Sequence, residues 1–335
     1  MTMDWSDLVK TIKAHTQFVI TSHIRPDADA LGSELALARA LKKLGKQVRI
    51  VNASPTPTRL QFLDPDKSIL ILGQGIQEEE ALETDVHIIV DTSAWGQLGE
   101  VARVFRRTSA KKIIIDHHVS SDEMDAVEFK DVQSEAAGTM IFDLVTALGV
   151  KIDMEIAEPL FCAIATDTGW FRFPSTRHKT MDVIASLMDA GVEPYKYYTQ
   201  LYEQMSLGRM KLAGRALERM KLECEGLLGH TFVKFDDYAE TGAEPADTED
   251  LVNECLRIKG TTCALIAIEQ PNRQIKVSFR SRPGVNVAAV AEQFQGGGHK
   301  QAAGAILPGP LEQAYKSTLQ ALIETISKSP VTTTG

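Results

Sequence analysis

The sequence predicts an α/β protein, a doubly wound and mostly parallel sheet followed by a smaller C-terminal α+β domain. Three observations predict it. Five short apolar runs, at 18–21, 48–51, 68–72, 86–90 and 112–115, are separated mostly by helical patterns, which is the order of a parallel sheet. From 137 to about 221 the chain reads as mainly helical. Beyond 222, strand candidates at 229–235, 262–269 and 274–280 mingle with helical patterns at 247–258, 286–294 and 310–327. A length of 335 residues accommodates two domains. We expect a first domain over 1–190, a helical linker over 191–221 and a second domain over 222–330.

Each element has its own reason. Residues 5–15 read as a helix. Phe18-Val-Ile-Thr21 has the β-branched and aromatic content of a buried strand. Leu31, Leu35, Ala38 and Leu41 fall at helical spacing over 30–44, and Gly45 is a C-cap signal. The runs at 86–90 and 112–115 end in Asp91 and Asp116. Ala137–Leu148 and Ile156–Thr166 are the clearest later helices, and Gly191-Val-Glu-Pro194 breaks the pattern. Arg209, Lys211, Arg215, Arg219 and Lys221 read as a solvated basic face. The stretch Asp236–Asp250 holds seven acids and no Lys or Arg, so an exposed loop leading into a helix is expected there. Ser329–Gly335 reads as a disordered tail.

The composition is ordinary for a soluble globular chain, 44% hydrophobic and 24% charged. No apolar run approaches the ~20 residues of a membrane helix. The N-terminus MTMDWSDLVK is acidic and amphipathic, unlike a secretory signal, so the cytoplasm is the expected location. Cys162, Cys224, Cys255 and Cys263 form no C-x-x-C pair and read as reduced thiols. A net charge of −9 disfavours a protein that tracks long nucleic acid by counterion release.

The chemistry gathers at strand ends. The run His23-Ile-Arg-Pro-Asp27-Ala-Asp29 follows the first strand, Val90-Asp91-Thr92-Ser93 the fourth and Asp116-His117-His118 the fifth; Asp167 ends a helix in Thr166-Asp167-Thr168-Gly169. Singly, each has a plain folding role: Asp29 as a helix cap, Pro26-Asp27 as turn chemistry, Asp91 as a strand-end turn. Together, three of the clusters share the carboxyl edge of one sheet, where ligands bind. So many carboxylates repel unless cations compensate. Mixed Asp and His donors suit Mn²⁺, with Mg²⁺, Co²⁺ and Zn²⁺ as competitors, and the donors are numerous enough for two ions. A pair about 3.5–4 Å apart can activate water against a phosphate ester. His87, inside a strand, reads as structural, and His178 as a surface residue.

These motifs resemble the DHH-family phosphoesterases, named for the triad seen as Asp116-His117-His118. Phe279-Arg-Ser-Arg282 and Gly296-Gly-Gly-His-Lys-Gln-Ala-Ala-Gly304 resemble that family's substrate-binding domain, so the likeness covers nearly the whole chain. Within the family, the likeness is to the nanoRNA oligoribonucleases that also dephosphorylate 3′-phosphoadenosine 5′-phosphate (pAp). The resemblance implies one metal on His23, Asp27 and Asp91, and another on Asp29, Asp91, His117 and Asp167. It implies that His118 faces the substrate phosphate and that Asp116 orients an imidazole. Arg280, Arg282, Gly296, Gly297, Gly298 and His299 would bind substrate. By strand alternation the two arginines would point the same way, and the three glycines would let amides approach an anion, or else form only a flexible turn. Where Gln97 stands, related enzymes often carry a basic residue. Phe171 and Phe173 read as core aromatics, with base stacking as the alternative.

The expected partners are short oligonucleotides and nucleotide bisphosphates, with no long nucleic acid and no membrane, and with a homodimer left open. A phosphodiesterase for linear or cyclic dinucleotides is the alternative within enzymes. Outside enzymes, the alternative is a nucleotide-binding sensor.

Overall fold

The apolar β-branched runs form the strands they predict. In the computed structural model, which describes residues 3–328, the chain divides into two units between Glu203 and Gln204. The first unit holds strands β1 (Gln17–Thr21), β2 (Gln47–Asn52), β3 (Ile69–Ile71), β4 (Val86–Val90), β5 (Lys111–Asp116) and β6 (Val127–Lys130). All pair in parallel in the order β3-β2-β1-β4-β5-β6. The strand order reverses between β1 and β4, which makes their carboxyl ends the switch point of the sheet.

Helices α1 (Ser6–Ala14), α2 (Ala28–Lys43), α3 (Glu78–Leu82), α4 (Val101–Arg107), α5 (Ala137–Ala147), α6 (Met154–Asp167), α7 (His178–Asp189) and α8 (Pro194–Tyr202) complete the unit. One core joins α1, α2, α5 and α6 to the sheet through Leu8, Leu35, Leu41, Ile88, Ile141 and Phe161. Smaller clusters around Val19, Val51 and Val104, and around Ile89, Phe105 and Ile114, hold α3 and α4 against the sheet. Helix α2 is buried almost all round. At Gly32 a Cβ would come within 2.3 Å of the Pro159 carbonyl oxygen, so glycine permits the close α2–α6 crossing.

The second unit begins with α9 (Leu207–Glu218). It continues through β7 (Lys221–Glu223), β8 (Leu228–Val233), α10 (Phe235–Thr241), α11 (Val252–Cys255), β9 (Cys263–Glu269), β10 (Ile275–Ser281), α12 (Ala288–Glu292), β11 (Gly297–His299), β12 (Ala302–Leu307) and α13 (Leu311–Lys328). Its sheet order is β11-β12-β10-β9-β8-β7, antiparallel except for β8–β9. One core lies between this sheet, α12 and α13, and another joins it to α9, α10 and α11.

Several expectations need revision. The stretch expected as a linker over 191–221 is divided between the units. Tyr197 on α8 is buried in the first core, and Leu212 and Ala216 on α9 in the second unit. The acidic stretch opens as helix α10 rather than a loop. Its Asp237 is buried and bound by both guanidinium nitrogens of Arg219, one of them at 2.7 Å, while Arg215 pairs with Glu240 at 2.6 Å. Arg209, Arg215 and Arg219 of the basic series therefore partner the acidic stretch, while Lys211 and Lys221 remain exposed. The helix expected over 247–258 is a 3₁₀ turn at Pro245–Thr248 and the short α11, separated by Asp250 in the left-handed region. Phe173 is 48% exposed and not core; its ring lies where a Cβ on Gly169 would be.

The four cysteines are free. No helix among the described residues is long and apolar enough to cross a membrane. The tail expected to be disordered, Ser329–Gly335, lies outside the described residues.

Candidate metal centre

Local folding rules place each acidic side chain of the first unit. Asp27, and not Asp29, caps α2: its Oδ1 accepts from the Asp29 and Ala30 amides at 3.0 and 3.1 Å. Asp29 sits inside the first turn and turns to another helix. Its two oxygens accept from the Ala137 and Gly138 amides at 2.7 and 2.8 Å, so a buried carboxylate rests on the positive end of α5. Asp91 leaves β4 with φ of 62°, in the left-handed region that Asp tolerates better than most residues. Its amide still donates to the Ile115 carbonyl at 2.9 Å, which fixes the side chain over the β4–β5 edge.

The histidines are oriented by backbone carbonyls, which can only accept. His23 Nδ1–H donates to Ile24 O at 2.9 Å, and His117 Nδ1–H to Ser134 O at 3.2 Å. Both rings therefore turn Nε2 inward, the nitrogen whose lone pair a metal would take in place of a proton. His23 Nε2 lies 3.4 Å from Asp91 Oδ2 and 3.9 Å from Asp27 Oδ1. His117 Nε2 lies 3.3 Å from Asp91 Oδ1, 3.6 Å from Asp167 Oδ2 and 3.7 Å from Asp29 Oδ2. Three donor groups have ligand atoms within 4.8 Å of one another: His23 with Asp27 and Asp91, Asp29 with His117 and Asp167, and Asp91 with His117 and His118.

The donor set fits a divalent metal pair on an observation of this structure: among the described residues no well-formed hydrogen bond reaches the buried Asp91 Oδ1, although His117 Nε2 lies 3.3 Å away. Electrostatics point the same way. Burial and the charges of Asp91 and Asp167 hold Asp29 well above the usual carboxylate range. Burial, opposed by His117, pushes Asp167 up to about 6. Against the effect of burial, Asp91 raises His23 to about 9 and His117 to about 10, while the two imidazoles lower Asp91 itself. Without cations, the cluster recruits protons in their place.

His118 stands apart, 52% exposed. Its Nδ1 donates to Asp116 Oδ1 at 2.8 Å, which raises its pKa. Asp116 is fully buried and is anchored by Ser93 Oγ at 2.5 Å and the His118 amide at 3.1 Å, with Lys130 Nζ at 3.5 Å. Despite burial, these bonds lower Asp116 to about 2.

In the second unit, Arg280 lies on β10, half-buried, its Nη1 on the Phe279 carbonyl. Arg282 has left the strand. Its Nε and Nη2 donate to the Thr261 and Leu256 carbonyls at 3.3 and 3.1 Å. The two arginines are thus not a matched pair on one strand face, because β10 ends at Ser281. The glycine run is a strand rather than a flexible turn: β11 pairs with β12 in the register Gly297–Gly304 and His299–Ala302. A Cβ on Gly296 would come within 2.2 Å of the Gly304 carbonyl oxygen. β11 is the sheet edge, so one row of its backbone groups has no strand partner, and His299 on it is exposed.

Sequence reading missed Glu34 and Asn52. Glu34 is fully buried, accepts from Asn52 Nδ2 at 2.9 Å, and is pushed by burial up to about 8. It lies on the same helix as Asp27 and Asp29, and only the burial of that helix on all sides could have exposed it as unusual. It also missed Ser93, Lys130 and the Ala137–Gly138 amides. Of these, Ser93 alone carried a signal, two residues after Asp91.

Comparison with known proteins places this geometry. The DHH family N-terminal domain matches residues 17–164, and the DHHA1 domain matches residues 230–328. The chain is 33% identical to the bifunctional oligoribonuclease and PAP phosphatase NrnA of Thermus thermophilus, over 92% of this chain and 90% of that one. It is 27% identical to the protein of the same name from Bacillus subtilis, over 90% and 92%. The crystal structure of an exopolyphosphatase-related protein from Bacteroides fragilis superposes with a TM-score of 0.82 at 27% identity, covering 95% of each chain.

Proposed function

The chain belongs to the DHH family, and from that premise we propose that it is a two-metal phosphodiesterase that degrades very short oligoribonucleotides to mononucleotides and also acts as a pAp phosphatase. One observation carries the reading: the two oxygens of Asp91 face two different imidazoles, each backed by its own carboxylates. His23, Asp27 and Asp91 would hold one cation, and Asp29, Asp91, His117 and Asp167 the other. Mn²⁺ suits these mixed donors best, with Mg²⁺ or Co²⁺ as alternatives. When bound, such a pair supplies Lewis acidity to the phosphate and lowers the pKa of the attacking water.

The chain's own groups do the rest. The α5 amides and the Ser134 carbonyl hold Asp29 and His117 in place. Asp116 accepts from the Nδ1–H of His118 and raises its pKa, which favours the imidazolium; its Nε2–H can then protonate the leaving oxygen and leave a neutral ring behind. Arg280, the open edge of Gly296–Gly298 and His299 grip the substrate, and Arg282 braces the end of β10 while keeping Nη1 for a phosphate. An acidic chain gains little from counterion release on long polymers, which supports short substrates.

The test is a product time course with Mn²⁺ on end-labelled RNA of two to five nucleotides, beside a 24-mer, pAp and pyrophosphate. We expect mononucleotides from the short chains and AMP from pAp. Rapid loss of the 24-mer with dinucleotides untouched rejects the reading. Turnover confined to dinucleotides narrows it to a dinucleotide phosphodiesterase. Tight nucleotide binding without product moves it to a sensor.

A further inference from the structure

We propose that a cavity of the first unit beside the metal cluster is a one-nucleotide subsite that binds a second phosphate through Arg59 and a base against Tyr202. The proposal rests on the nucleotide-hydrolysing reading above. The cavity measures about 240 Å³ and is lined by Asp27 and Asp167 of the cluster together with Arg59, Leu60, Leu201 and Tyr202. It is smaller than the roughly 300–1,000 Å³ of pockets for drug-sized ligands, so one nucleotide is the most it takes.

Arg59 stands on the 3₁₀ turn Thr58–Leu63, which the buried Leu60 and Leu63 pin to the core. It is exposed, and among the described residues it makes no hydrogen bond or ion pair. That is unexpected beside two carboxylates in an acidic chain. Those carboxylates would be engaged by the proposed cations, so the guanidinium keeps its forked donors for an incoming anion. Tyr202, at the end of α8, is 41% exposed. Its ring is held edge-on to Trp170 at 5.5 Å and tilted against Tyr198 at 5.1 Å. Burial, opposed by the Arg59 and Arg172 charges, raises its phenol above the ordinary range, so it stays protonated as a donor. A ring already held by two others stacks a base at little further cost in order. The ligand is therefore a phosphate next to a planar base, one nucleotide away from the phosphate under attack.

The test pairs binding with turnover on the full chain loaded with Mn²⁺. Calorimetry with AMP, adenosine and inorganic phosphate measures the subsite without any hydrolysis of substrate. AMP should bind about tenfold or more tightly than adenosine, and Arg59→Ala should erase most of that difference. Tyr202→Ala should weaken AMP and adenosine alike, while Tyr202→Phe should retain much of the affinity for both. In turnover, Arg59→Ala should raise KM for pAp by about tenfold and for adenosine 3′-monophosphate by a smaller factor. Equal affinity of the wild type for AMP and adenosine overturns the subsite, as does an Arg59→Ala change that is absent or the same for every ligand. Arg59-dependent AMP binding in a protein that hydrolyses no nucleotide keeps the subsite and removes the proposed function. Hydrolysis indifferent to Arg59 does the reverse.

Discussion

Two histidines of the first unit show how one residue type is set to opposite tasks. His117 faces carboxylates, and its inward nitrogen holds a proton that a cation would replace. His87, buried in the middle of β4, faces none. Thr21 Oγ1 already donates to the Val51 carbonyl at 2.8 Å, so His87 must donate its Nε2–H to that hydroxyl, at 3.0 Å. Among the described residues its Nδ1 has no hydrogen-bond partner, and burial lowers its pKa from 6.5 to about 3. The unfolded chain therefore binds a proton that the folded chain refuses across that interval. Stability contributed by neutral His87 is present above pH 6.5 and is lost as pH falls toward 3, by about 1.4 kcal/mol per pH unit. We predict that His87→Gln, which keeps a donor for Thr21, shows a shallower fall of urea stability between pH 7 and pH 5 than the wild type, both free of metal. Parallel pH profiles would contradict the assignment.

Among the elements, edge strand β11 is held by contacts between backbones with no side chain to spare. Gly296 meets the Gly304 carbonyl, and Gly298 takes a φ of 143° with a Cβ position 2.5 Å from the Ala302 carbonyl oxygen. Gly296→Ala should unzip β11 from β12 and displace His299. We expect KM for pAp to rise on the order of tenfold to a hundredfold, with the circular dichroism of the remaining strands kept. An unchanged KM would separate β11 from substrate binding. A sequence reader sees three glycines and cannot choose between a turn and a strand, because the choice is made by β12. The same limit hid β6, whose Val127-Glu-Phe-Lys130 has no apolar run and is recruited by β5. It hid α10 too, where Asp237 looked like a loop acid until Arg219 covered it. The central strands and α2 were legible because their periodicity needs no partner to be seen. The cluster residues were legible because parallel strands must end on one edge.

For the whole molecule, the cation pair should be part of the fold. Asp29, Asp91 and Asp167 crowd one edge, and a ligand that binds only the folded state stabilises it by about 2.7 kcal/mol at a hundred times its Kd. We predict that chelation lowers the melting temperature of the first unit and abolishes turnover, and that Mn²⁺ restores both. Asp91→Asn, which tolerates the left-handed backbone, should melt independently of Mn²⁺ and lose turnover at least about a hundredfold. Identical melting of active wild-type enzyme with and without chelator would sink the two-metal reading. Each sheet lies wholly within one unit, and each unit has its own core. Such halves can be inherited separately. A gene spliced at the codon boundary between Glu203 and Gln204 severs no strand ladder, so the front half could be joined to a different second unit with every one of its strands keeping its neighbours.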